Sequence, residues 1–400
     1  MNPSTATIKL LTFMMFMMFG MTTESVGVII PQIIKQFHLS MTEAGAFHYA
    51  PMTAIAIAGI LLGFLADRLG RKRSIVLGLI LFAIASYLFA AGNSFYFFIA
   101  LLAVSGVAIG IFKTGALALV GDITYSTTEQ TSTMNAVEGF FGMGAIIGTA
   151  IVARLVAASF SWKYLYVIAG TVCLGLILTA LSVKYPTTLK KADEPIDLNR
   201  TLHMMRDPYA LAFSSGIFLY VAVECAIYVW MPTLIKDQRG FFALYALTIF
   251  FVVRAIGRFM GAWVLAHFDW TIVLALFSLA ILVCFAGSVW FGAGVAVFLL
   301  PISGLFMSVM YPTLNSKGIS CFQKSQHGAV SGVILFFTCV AAALGPLVMG
   351  LTSDLFHDPK YGFVLATIFA ALLFAGSLLN FIRKPATARL LKLEQSEYAT

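Results

Sequence analysis

Six ionisable side chains stand inside long apolar runs of this 400-residue chain: Glu24, Lys113, Glu138, Glu224, Arg254 and Arg258. A charge surrounded by apolar groups is costly unless it faces protein or water, so each marks either chemistry or a paired structural role. Glu24 follows Thr22-Thr23 and precedes Gly27 and Pro31. There it can take up and release a proton, or act as structural counter-ion to Lys113. Lys113 in turn either neutralises Glu24 or Glu138, or binds an anionic group on a solute. Glu138 lies in the glycine-rich stretch Asn135 to Gly144, as a ligand for solute hydroxyls or a member of a charge network, with Asn135 beside it. Glu224 has Tyr228 four residues on and Trp230 six on. A carboxylate accepts hydroxyl hydrogen bonds while an aromatic face packs on the apolar side of a pyranose, so this spacing suits a sugar site. The same rings near Pro232 also suit an interfacial aromatic belt. Arg254 and Arg258 are one helical turn apart and share a face; Arg258 is read as bracing an inner loop and Arg254 as pairing with a carboxylate. Gln32, Tyr311 and Asn315 complete the candidate binding residues.

The elements that must position these groups are membrane helices. The chain is 60% hydrophobic and 10% charged, where soluble domains carry about 25% charged residues. Its apolar residues come in runs of about 20, one bilayer crossing each, and backbone in lipid is satisfied only within a helix or a closed barrel. Twelve spans are expected, at roughly 9–36, 44–66, 73–92, 94–122, 132–158, 162–184, 208–236, 241–266, 270–290, 292–317, 326–353 and 360–383. The fold class is therefore an all-α membrane protein of two six-helix bundles: 1–184, a cytoplasmic linker 185–207, 208–383, and a cytoplasmic tail 384–400. Basic residues concentrate on one side when both termini are placed in the cytoplasm. The net charge of +8 is confined to loops and tail, which fits anionic headgroups rather than nucleic acid. Five cysteines without ligand spacing read as free thiols, and no metal or cofactor is expected. The first apolar segment lacks a cleavage site and reads as a retained helix. In the tenth span Pro301 and Pro312 interrupt backbone bonding and free carbonyls for bending or binding.

Gly63-Phe64-Leu65-Ala66-Asp67-Arg68-Leu69-Gly70-Arg71-Lys72-Arg73 joins the second and third spans. Its glycines suit a tight hinge, Asp67 can face a helix N-terminus or an arginine, and the basic cluster is cytoplasmic. The stretch resembles the signature loop of the major facilitator superfamily. Gly257-Arg258-Phe259-Met260-Gly261, followed by His267 and Asp269, looks like an eroded copy in the second half. Within that family, Tyr311-Pro312-Thr313, Gly318-Ile319, Gly328, Gly345-Pro346, Gly350 and Asp354 resemble the fucose/glucose/galactose-proton symporter branch. The resemblance implies the major facilitator fold, with gating by Gly63, Asp67, Arg68, Gly70, Arg71, Arg254 and Arg258. It further implies uptake of a sugar together with a proton by alternating access.

The chain departs from the branch twice: Gly27 stands where branch members carry an acid, with Glu24 about a turn earlier, and Lys113 stands where a carboxylate is usual. The expectation is a monomeric secondary transporter of the bacterial inner membrane, not an enzyme, whose partners are a sugar-like solute, a proton and lipid. Glu24, Glu138 and Lys113 are its coupling residues. The departures keep open a uniporter, or a carrier of acidic sugars or other organic anions using Lys113. The many Phe and Met residues keep open proton-driven efflux of amphipathic compounds.

Overall fold

The computed structural model describes residues 3–62, 69–123, 127–183, 185, 204–323 and 326–390. Among these, eleven helices are long and apolar enough to cross a membrane, and no strand occurs. The remaining expected span, 44–66, is helical from Ala46 to Leu62; Gly63, Asp67 and Arg68 of the signature loop lie outside the described residues. The chain divides into two compact units, residues 1–192 and 193–400.

In the first unit the expected span 9–36 is two helices, α1 (Pro3–Thr23) and α2 (Val26–Phe37), interrupted at Glu24-Ser25. Four hydroxyl bonds surround the interruption. Thr22 Oγ1 donates to Met18 and Phe19 carbonyls, Thr23 Oγ1 to Phe19 and Ser25 Oγ to Met21, at 2.7 to 3.3 Å. Such back-bonding competes with the helical ladder and bends it, and Pro31 in the next turns removes another donor. The short helix α3 (Met41–Ala44) follows, held by a Ser40/Glu43 capping box. Then come α4 (Ala46–Leu62), α5 (Arg71–Ala91), α6 (Phe95–Ile123), α7 (Thr127–Ala157) and α8 (Tyr164–Ser182).

Of the signature loop's last residues, Gly70 N-caps α5 at φ 85, a conformation that favours glycine. Lys72 reaches across to α8, where Nζ donates to the carbonyls of Leu181 (2.7 Å) and Val183 (3.1 Å). One of the cytoplasmic-type basic residues thus satisfies carbonyls orphaned at a helix end.

The second unit repeats this plan. Asp207 caps α9 (Pro208–Cys225), which passes into a π-helical turn, Ala226–Trp230, and then α10 (Met231–Leu234). Next are the short α11 (Phe241–Leu244), α12 (Ala246–His267), α13 (Trp270–Phe291), α14 (Ala293–Met307), α15 (Met310–Ser320), α16 (His327–Leu355) and α17 (Pro359–Arg383). The expected span 292–317 is likewise two helices. The break at Ser308-Val309 precedes Pro312, which cannot donate to the Ser308 carbonyl one turn back. Gly257 and Gly261 are not in a loop, as the eroded signature copy requires, but inside α12. A Cβ on Gly257 would come within 2.7 Å of the Leu305 carbonyl, so these glycines let α12 close on the α14/α15 break. Within the expected tail, residues 385–390 are helical. Arg389 donates to the Cys321 carbonyl (2.8 Å) and to Asp207 (3.3 Å), with Tyr209 and Phe322 rings over its guanidinium at 4.3 and 4.6 Å.

The glycine stripe of α7 serves helix contact, but not through every glycine. A Cβ on Gly144 would lie 1.9 Å from the Met17 carbonyl of α1, and one on Gly148 2.1 Å from Met21; at Gly142 nothing lies within 4 Å. Replacing Gly144 with Val is therefore expected to cost about 1–3 kcal/mol through overpacking, with Gly142→Ala near neutral. Thermal unfolding of the two purified variants checks this, and equal midpoints would refute the packing assignment. A second expectation concerns Asp269, which caps α13 through Thr271 N at 2.8 Å. The Thr271 hydroxyl, then its backbone N–H, holds the carboxyl below its ordinary range despite slight burial. A depressed folded-state value stabilises above the unfolded carboxylate range of about 3.9 and is lost as pH falls through the folded value. Asp269→Ala is expected to cost about 1 kcal/mol at neutral pH. The deficit should shrink below pH about 4; a constant deficit would exclude the charged cap.

Candidate functional site

The six interior charges meet different fates. Glu24 is half-buried and sits in the α1/α2 interruption itself, not within a continuous span. Lys113 of α6 is also half-buried; its ammonium lies 5.1 Å from the Phe19 ring centroid and 5.8 Å from that of Phe16. These cation–π contacts hold Lys113 against α1, the helix that ends at Glu24. Glu138 of α7 is exposed rather than enclosed, beside Gly139, whose α-carbon faces open space. The side chain of Asn135 lies outside the described residues. Gln32, with Lys35, Gln36, Ser161, Trp162 and Lys163, lines a cavity of about 580 Å³.

The second unit ties its charges directly. Glu224, 7% exposed, is the penultimate residue of α9, two residues before the π turn, and forms an ion pair with Arg254 of α12. Arg254 and Arg258 point away from the exposed apolar stripe of the same helix, Val252, Ile256, Phe259, Met260 and Trp263. At 3.6 residues per turn the arginines fall on the opposite side, so they face protein rather than lipid. Removing one partner of such a pair costs about 3–5 kcal/mol, because the other is left charged and unpaired. Tyr220, one turn before Glu224 and fully buried, lies in the field of Glu224, Arg254 and Arg258. Its hydroxyl donates to the Met307 carbonyl at the α14/α15 break (3.0 Å). Its ring is 6.4 Å from that of Tyr311, which is half-buried, as is Asn315 further along α15.

Tyr220 escaped the sequence reading; its position four residues before Glu224 was the available signal. Tyr228, half-buried, places its hydroxyl 2.7 Å from Cys225 Sγ. Trp230 is 1% exposed and its indole N–H donates to the Pro346 carbonyl of α16 at 3.0 Å. Trp230 thus braces the π turn against α16, its ring enclosed by protein.

A family profile described as Major Facilitator Superfamily matches residues 10–346. The glucose/galactose transporter of Brucella abortus is 23% identical over 362 residues, covering 85% of this chain and 86% of that protein. The L-fucose-proton symporter of Escherichia coli is 23% identical over 380 residues, 85% of each. The hexuronate transporter of Bacillus subtilis is 23% identical over 393 residues, 91% and 92%. Among solved structures, a bacterial homologue of the human lysosomal transporter Spinster superposes with TM-score 0.78 at 15% identity, covering 98% of both chains.

The bond from Trp230 gives a test of the site's framework. Trp230→Phe removes the donor and leaves the Pro346 carbonyl without it, an expected loss of about 1–3 kcal/mol. Tyr228→Phe, at a half-buried ring, is expected to lose less. Melting midpoints in detergent compare the two, and the reverse order would show that the indole bond is dispensable.

Proposed function

The chain belongs to the major facilitator superfamily, which makes it a multi-pass membrane transporter and not an enzyme. From that premise we propose that it carries a sugar or sugar-like solute across the bacterial inner membrane by alternating access, as a monomer and coupled to protons. Both termini are cytoplasmic on this reading, by the bias of basic residues. The relatives with glucose/galactose, fucose and hexuronate names support the solute class. The observation that carries proton coupling is the position of Glu24. It occupies a two-residue gap between α1 and α2, where the backbone ladder is already interrupted and an acid can change protonation as the helix bends. Glu138 and Lys113 are assigned to the same proton path. Tyr228, Tyr311, Asn315, Asn135 and Gln32 are assigned to the solute, and Gly63 to Arg71 with Arg258 to gating.

Lys113, held by Phe16 and Phe19 rather than at a membrane edge, favours one second reading, an anionic solute. The test is reconstitution of purified protein in liposomes with a trapped pH dye, challenged with neutral and acidic sugars. Solute-dependent acidification of the lumen is expected, and Glu24→Gln should abolish accumulation by more than tenfold while exchange persists. Undiminished gradient-driven accumulation by Glu24→Gln would remove Glu24 from the coupling path.

A further inference from the structure

The ion pair between Glu224 and Arg254 joins α9 to α12 beside a π turn, and both partners keep some exposure, 10% and 19% of their side chains. Among the described residues of the second unit, Tyr220, Cys225 and Tyr228 come from the same span, Arg258 from α12 and Tyr311 from α15. Helix α14 contains no ionisable residue, whereas α16 and α17 carry theirs near their ends (His327, Asp354, Lys360, Tyr361, Arg383) apart from Cys339.

Consider the states open to the pair. With Glu224 ionised, the pair is neutral. Protonating Glu224 alone leaves the Arg254 charge uncompensated away from bulk water, which is unfavourable. Bringing a solute carboxylate to Arg254 while Glu224 stays ionised sets two anions on one guanidinium, also unfavourable. Only when a proton reaches Glu224 and a monocarboxylate reaches Arg254 together does neutrality return, with the planar fork of Arg254 matched to the incoming carboxylate. A neutral sugar gains nothing from releasing Arg254.

We propose that Glu224–Arg254 is a proton-released carboxylate receptor, and that the preferred solute is a sugar acid bearing one carboxylate, taken up with one proton. The proton adds to the Glu224 carboxylate as Arg254 exchanges its ion pair with Glu224 for one with the solute carboxylate; no covalent bond to the solute forms. Half-buried Tyr311, whose ring neighbours that of Tyr220, and half-buried Tyr228, four residues after Glu224, are assigned to the ring hydroxyls. This inference rests on the transport reading above and deepens it by naming the substrate class.

The experiment uses the full chain in liposomes, with glucuronate as probe and glucose and galactose as neutral controls. Glucuronate is expected to acidify the lumen at least tenfold faster than either neutral sugar. Because one proton binds with each anion, its Kd should rise about tenfold per pH unit as pH increases, a readout on the unmodified protein. Glu224→Gln should lose accumulation but keep glucuronate exchange, now independent of pH. The Glu224→Gln/Arg254→Gln double variant removes both charges and should lose that exchange. Transport of neutral sugars with glucuronate ignored overturns the receptor and leaves the sugar reading standing; transport of neither class overturns both. A pH-independent Kd in the unmodified protein, continued accumulation by Glu224→Gln, or exchange surviving in the double variant each overturns the receptor.

Discussion

In a hydrocarbon surrounding, each backbone N–H and C=O must find its partner within its own helix, because no water is there to replace it. This constraint governs where the chain may depart from regular structure. The described helices depart from it at Glu24-Ser25, at Ala226–Trp230 and at Ser308-Val309. Each interruption has a proline within the next two turns: Pro31, Pro232 and Pro312. Each also has local compensation. Thr22, Thr23 and Ser25 hydroxyls occupy carbonyls around the first. Met231 N–H bonds back to both Ala226 and Ile227 at the second, and the Tyr220 hydroxyl takes the Met307 carbonyl at the third. Polar chemistry collects at these places because that is where unsatisfied groups are already being accommodated.

The two units solve the problem in the same way at closely matching positions. Each begins with a span carrying an acid before a proline, then a four-residue helix, Met41–Ala44 or Phe241–Leu244, then a helix starting at Ala46 or Ala246. Glu24 precedes Pro31 by seven residues and Glu224 precedes Pro232 by eight. The π turn in the second unit absorbs the extra residue, since i→i+5 bonding takes in one more residue without breaking the helix. A glycine of the fifth helical span approaches this region in each unit: Gly148 against Met21 and Ser25, Gly345 against Ala222. The units differ in the cation they supply. In the first it is Lys113, whose ammonium also lies over aromatic faces; in the second it is Arg254, in an ion pair with Glu224.

Of the candidate site, the sequence made legible which residues matter to the membrane interior but not which of them meet. Arg254 pairing with a carboxylate was readable as a type of contact, since an unpaired guanidinium there is too costly to retain. That its partner is Glu224, thirty positions away on another helix, was not. Trp230 illustrates the opposite difficulty. Its spacing from Glu224 suits a sugar platform and its nearness to Pro232 suits an interfacial belt, and the deciding bond goes to Pro346, far along the chain.

What the sequence determined by itself is what depends on neighbours along the chain. Apolar run length determined the spans, because a helix satisfies its backbone locally. The GxLADRxGRKR-like stretch, Gly63 to Arg73, determined the family. Pro312 marked the tenth span as interrupted, whereas Pro301 lies inside the continuous α14. Only the tertiary structure decided which glycines are contact points, turning Gly257 and Gly261 from a supposed loop into a helix-packing surface and separating Gly144 from Gly142. It alone decided that residues 385–390 fold back onto Asp207 and Cys321, and which acid holds which base. These contacts join residues far apart in the chain, and short-range pattern carries no information about which helix faces will be brought together.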